Sequence, residues 1–298
     1  MLEQIRNAVL DKRPSLSPAS ANTYSYAIRK VFQSVSKDKD FNIDVLNDTD
    51  KIFQHLESIP PNRRKTILSA LFVVTENQLF RTAMIDDIQT YNQEIELQEK
   101  NDTQRDNWIE QDELDAIYKN LKKTAKEIYK KESLDKNDLQ KIQQYIMLSL
   151  YGGRYIAPRR AIDFTKAFKI QDIDTAVNNY IDYDTKQFVF NQFKTAKTYG
   201  EQRVDIPKKL FKILVKWIAV NPSPYLFFDT KNNGLTSITL AQRLNNIFGG
   251  KKISVNQLRH FYLTNKHLDT VTNMDELNND MTKMGSSINM AKTYIKKN

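Results

Sequence analysis

The reading of the fold turns on Ser254-Val255-Asn256-Gln257-Leu258-Arg259-His260-Phe261 and, 35 residues beyond Arg259, on Ala291-Lys292-Thr293-Tyr294-Ile295-Lys296. An arginine and a tyrosine in this order are the residue types that can grip and attack a phosphate ester. The guanidinium is planar, stays charged and binds phosphate oxygens in bidentate fashion. A phenolic hydroxyl can attack phosphorus and leave a covalent ester. The chain has 14 tyrosines, so Tyr294 is singled out only by its spacing and its helical flank. What the rest of the chain supplies decides whether the pair is meaningful.

The totals leave such a role open. With 45 Lys+Arg against 36 Asp+Glu the formal net charge is +9, which suits a polyanionic partner. There are no cysteines, which excludes disulfides, thiolate zinc sites and cysteine nucleophiles. The three histidines, His55, His260 and His267, are too scattered for a histidine-rich metal site. No apolar run approaches a membrane span, and Met1-Leu2-Glu3-Gln4-Ile5-Arg6 lacks a signal-peptide core. An intracellular location is expected.

Upstream, 7 glycines and 8 prolines in 298 residues favour long helices over turn-rich β structure. Ser17-Pro18 reads as a helix start, with Tyr24, Ile28, Val31, Phe32 and Val35 at helical spacing behind it. A second helical run around Ile52, Phe53 and Leu56 ends at Pro60-Pro61, and a third opens with Asn62-Arg63-Arg64-Lys65. Residues 1–95 therefore read as a helical bundle, with Arg63, Arg64 and Lys65 either at a phosphate-binding helix start or on a solvated turn. The stretch Gln98 to Asn107 has no aliphatic or aromatic side chain, so 96–107 is expected to be a linker. Residues 108–298 form the second expected domain. It restarts with a helical pattern at Trp108, Ile109, Leu114, Ile117 and Leu121, and a further helix is read from Leu139 to Leu150.

The pattern then turns to β. Tyr180-Ile181-Asp182-Tyr183 and Phe188-Val189-Phe190, separated by Asp184 to Gln187, read as a hairpin. A third strand, Val204-Asp205-Ile206, follows a basic loop, and helices resume after Pro207. The fold class is mainly α, with one small antiparallel sheet.

Leu258-Arg259-His260 followed by Phe261, Thr264 and the distant Tyr294 resembles the active-site half of the tyrosine recombinases, the phage-type integrases. The resemblance covers about 108–298 and implies a two-domain clamp, a helical core-binding bundle and an α-rich catalytic domain closing on duplex DNA. It also implies an integrase of a virus or mobile element, acting as a homotetramer on two DNA sites. Tyr294 would attack the scissile phosphate and leave a 3′-phosphotyrosyl intermediate, with no metal or nucleotide cofactor. Arg160, three residues before Asp163 and 99 before Arg259, matches the first arginine of the family, with Arg154 and Arg159 as rivals. Lys194 in Phe193-Lys194-Thr195 fits the hairpin lysine that protonates the leaving 5′-oxygen, with Lys197 second. Lys197 and Arg203, in the basic loop and strand, join Arg63, Arg64 and Lys65 as expected DNA contacts.

Two positions depart from the family. Asn256 stands where H-x-x-R has histidine, and asparagine can donate to a phosphate oxygen but cannot take the tyrosine proton at neutral pH. Nine residues before Tyr294, where the family has histidine or tryptophan, stands Gly285, or Ser286 in a register shifted by one. His260 adjoins Arg259 and so points about 100° away around a helix, which predicts a structural contact for it. A type IB topoisomerase shares this chemistry, and a DNA-binding protein that has lost catalysis is the rival of another class.

Overall fold

The computed structural model describes residues 1–284. It divides into two compact units, Met1–Lys100 and Asn101–Asn298. Each has its own hydrophobic core.

The first unit is helical: α1 (Leu2–Lys12), α2 (Pro18–Val35), α3 (Thr49–Leu56), α4 (Pro61–Thr75) and α5 (Gln78–Glu96). Ser17 caps α2 as expected, its hydroxyl accepting from the Ser20 amide at 3.1 Å with Pro18 in the first turn. Ile5, Val9, Ile28, Phe32, Leu68, Leu71 and Phe80 meet in the core. The 19-residue α5 has no counterpart in the sequence pattern. Its apolar residues are spread round the helix, with Leu79, Ile85, Ile88 and Ile95 exposed, so periodicity does not reveal it.

The stretch expected as linker is not wholly irregular. Asp102–Asp106 forms a short helix, α6, closed by a capping box in which Asn101 and Gln104 satisfy each other's backbone amides. No residue from 98 to 107 is buried. The second unit continues with α7 (Gln111–Ile128) and α8 (Lys136–Tyr151), whose residues from Tyr145 to Tyr151 are all buried.

Three strands follow: β1 (Tyr180–Asp182), β2 (Gln187–Phe190) and β3 (Gln202–Asp205), antiparallel in the order β1-β2-β3. The third strand begins at Gln202, two residues earlier than its apolar pattern indicates, and excludes Ile206. The Ile206 amide bonds back to the Lys186 carbonyl at 2.9 Å while its side chain turns into the core. The loop between β2 and β3 holds the short α9 (Ala196–Tyr199). Helices α10 (Lys208–Ile218), α11 (Ser237–Ile247) and α12 (Val255–Lys283) complete the described chain. None of the described helices is long and apolar enough to cross a membrane.

The core of this unit is aromatic. Phe164 lies edge-on to Tyr151, Phe188 and Phe190 with centroids 5.2–5.8 Å apart, so the segment around Asp163 is fastened to both α8 and the sheet. Gly153, just past α8, has φ of +72°, and a Cβ there would meet the Tyr262 ring of α12 at 2.5 Å. Glycine thus permits both the left-handed turn and the close seating of α12 beside the chain leading to Arg160.

Candidate active site

Three consecutive features of the 154–163 segment have different fates. Arg154 is consumed by Asp115, to which its guanidinium is hydrogen-bonded, and lies 4.7 Å over the Tyr118 ring. Arg159 donates from Nε to Asp163 Oδ2 at 2.7 Å and from Nη2 to Gln202 Oε1 at 3.1 Å, and lies 3.8 Å over the Phe190 ring. It is therefore a tie between this segment and strands β2 and β3. The Arg160 guanidinium has no hydrogen bond or ion pair among the described residues, and the residue is half-buried. Of the three, only Arg160 keeps its guanidinium available to a ligand.

Asp163 is the electrostatic centre of the segment. Burial pushes its carboxyl above the ordinary value, and Arg159, Arg160 and Arg259 each pull the other way. Arg160 and Arg259, 99 residues apart in sequence, thus share one carboxylate in their surroundings. One carboxylate oxygen, Asp163 Oδ1, is buried without a hydrogen-bond partner.

A second tie escaped sequence reasoning entirely. Asn179 is completely buried, and its amide uses all of its hydrogen-bonding capacity. Nδ2 donates to the carbonyls of Asp163 (2.9 Å) and Gln192 (2.8 Å), while Oδ1 accepts from the amides of Asn191 (2.8 Å) and Gln192 (2.7 Å). The arginine segment and the start of the β2–β3 loop are therefore held by one side chain. Lys194, two residues beyond Gln192, is exposed, and so is Lys197 on α9. A lone asparagine beside Asn178 carries no sequence signal, because its value lies in four long-range backbone contacts.

On α12, Asn256, Arg259 and His260 share the solvent-facing side of the first turns. Arg259 Nη1 donates to Asn256 Oδ1 at 3.5 Å, and Asn256 Nδ2 lies 3.5 Å from His260 Nε2. The His260 imidazole is exposed, and its described contact is with Asn256, one turn back on the same helix. Inward, Leu258 and Phe261 anchor the helix, with Phe261 edge-on to Trp108 at 5.9 Å. Tyr294, Gly285 and Ser286 lie outside the described residues.

The remaining expected DNA contacts are unequal. Arg64 pairs with the buried Asp87 of α5 through two hydrogen bonds of 2.9 and 2.7 Å, which joins α4 to α5. The Lys65 ammonium lies 3.4 Å over the Tyr91 ring. The amides of Arg63 and Arg64 already bond to the Pro60 carbonyl, at 2.9 and 3.0 Å, so this helix start offers a phosphate few free N–H groups. Arg63 itself is exposed and in no ion pair among the described residues. Arg203 is bridged to Glu201 (2.7 Å) and Asp182 (3.0 Å), whose charges outweigh its own. No group of three or more metal-ligating side chains occurs among the described residues.

Fold and site together define a mainly helical chain whose second unit carries a small antiparallel sheet, with arginines of two distant segments acting through their charge on one buried aspartate. Among solved structures, the chain is similar to the crystal structure of XerA recombinase, at 12% identity over 88% of this chain and 83% of that one, with a TM-score of 0.36. No family model matches the chain, and no curated protein matches it.

Proposed function

We propose that this chain is a DNA strand transferase of the tyrosine-recombinase type, a site-specific recombinase of a virus or mobile element. The observation that carries this reading is that Arg160 and Arg259, distant in sequence, both act on the buried Asp163 carboxylate through their charge, with the Lys194 loop fastened to the same segment through Asn179 and Arg159. Arg160, Arg259 and Asn256 hold the oxygens of the scissile phosphate, where preformed positive charge stabilises the pentacovalent transition state. Tyr294 attacks phosphorus and the bond to the 5′-oxygen breaks. The tyrosine proton passes to His260, the imidazole exposed on this face, and Lys194 protonates the departing oxygen. The product is a 3′-phosphotyrosyl ester, which a 5′-hydroxyl of another strand attacks to complete exchange. Each protomer cuts one strand, so full recombination takes four protomers on two duplexes. The bond energy stays in the ester, and no metal or nucleotide is required.

A nicked suicide duplex tests this reading. The wild-type chain gives an SDS-resistant protein–DNA adduct, and Tyr294→Phe gives none while binding duplex DNA as before. Salt-sensitive DNA binding without an adduct in the wild type would instead make the chain a DNA-binding protein of this fold. Supercoil relaxation without joining of two sites would make it a topoisomerase.

A further inference from the structure

Lys194 stands on the loop between β2 and β3, exposed and in no ion pair among the described residues. An ammonium that protonates a departing oxygen has to come within about 2.6–3.2 Å of it. A misplacement of about 1 Å can cost a hundredfold in rate. The backbone beneath Lys194 therefore has to be held, although the loop itself lies at the surface.

Asn179 holds it. Asn191 and Gln192 have left strand β2, and their backbone groups lack a strand partner. Asn179 Oδ1 accepts from both amides, at 2.8 and 2.7 Å, and Nδ2 donates to the Gln192 carbonyl at 2.8 Å. Among the described residues no other hydrogen bond reaches the Gln192 backbone. The Asn191 side chain adds two bonds, from Nδ2 to the carbonyls of Thr175 (2.9 Å) and Asn178 (2.8 Å). Phe193 then turns its ring into the core, and Lys194 follows it directly. The fourth bond of Asn179 goes to the Asp163 carbonyl at 2.9 Å, on the segment that carries Arg160. That segment has other anchors: Arg159 bonds the Asp163 carboxylate, and Phe164 packs on Tyr151, Phe188 and Phe190. Loss of Asn179 releases the loop and leaves the arginines in place.

We infer that Asn179, backed by Asn191, is a positioning residue for the proton donor Lys194. The inference rests on the strand-transfer reading above. When Tyr294 attacks, the bond from phosphorus to the 5′-oxygen breaks, its electron pair stays on that oxygen, and the Lys194 ammonium supplies the proton the oxygen takes. Asn179 sets where the ammonium stands. It is completely buried and touches no DNA itself.

Suicide duplexes with either oxygen or sulfur at the bridging 5′ position test this. A thiol, with a pKa of about 8.5, departs without a proton donor, whereas an alcohol needs one. Asn179→Ala forms adduct about a hundredfold more slowly than wild type on the oxygen duplex, and within about threefold of it on the sulfur duplex. Lys194→Ala shows the same split. The double variant is no slower than Lys194→Ala alone, because Asn179 acts through Lys194. Arg160→Ala stays slow on both duplexes. Equal loss in Asn179→Ala on the two duplexes, or an additive double variant, overturns the inference and leaves the strand-transfer reading standing. A wild type that forms no adduct on either duplex removes both. If thermal unfolding shows that Asn179→Ala does not fold, Asn191→Ala decides, since it removes only the bonds to Thr175 and Asn178. Slower reaction on oxygen with an unchanged rate on sulfur is the expected result, and equal loss or no loss overturns the inference.

Discussion

Replacing Arg159 and Arg160 separately by alanine distinguishes the fold's arginine from the one available for chemistry. Arg159 is 18% exposed and its partner Asp163 is 3% exposed, so Arg159→Ala strands a buried carboxylate. That carboxylate can escape by taking a proton. From its ordinary value of 3.8, protonation at pH 7 costs about 4 kcal/mol. This caps the electrostatic loss within the range of about 3–5 kcal/mol usual for breaking a buried pair. Lost stacking on Phe190 adds about 1 kcal/mol. A unit of this size should then melt roughly 8–20 °C lower. At pH 5 the protonation cost falls to about 1.6 kcal/mol, so the penalty shrinks as pH is lowered. Arg160→Ala, which breaks no described side-chain hydrogen bond or ion pair and removes only a through-space charge from Asp163, should destabilise far less than Arg159→Ala at both pH values. It should nevertheless abolish adduct formation on the suicide duplex. Thermal and urea unfolding at pH 7 and pH 5, beside the adduct assay, read both effects. Equal destabilisation by the two variants, or an Arg159→Ala penalty that does not change with pH, would refute this assignment.

Other substitutions probe the remaining positions. Asn256→His should restore an imidazole at the helix position one turn before His260 and rescue adduct formation in His260→Ala; a chain in which His260→Ala cleaves normally has no need of that imidazole. Arg64→Ala should destabilise the first unit by about 3 kcal/mol in urea unfolding, because Asp87 loses its partner. Arg63→Ala should leave stability unchanged and lower duplex affinity; the reverse pattern would restore Arg64 as the DNA contact. In duplex binding titrated with salt, log K should fall against log[salt] with a slope of about −0.9 per neutralised phosphate, and a flat line would exclude a phosphate-dominated contact.

By itself the sequence determined what is local. Ser17-Pro18 started α2 because a cap and a preset φ act within one turn. The helical runs, the β1–β2 hairpin and the basic loop before the third strand were legible because periods of 3.6 and 2 are written in neighbouring residues. Arg160, Lys194 and Arg259 were named through the resemblance of their motifs to the recombinases, and the sequence could not show which nearby arginines and lysines are already occupied. The tertiary structure decided which arginine is occupied: Arg154 by Asp115, Arg159 by Asp163 and Gln202, Arg64 by Asp87. It also turned His260 toward Asn256 and revealed Asn179. The partners that fix these roles come from segments up to 43 residues away, brought within hydrogen-bond distance only by packing. A charge is available or spent according to what the folded chain places beside it, and no periodicity in the sequence records that.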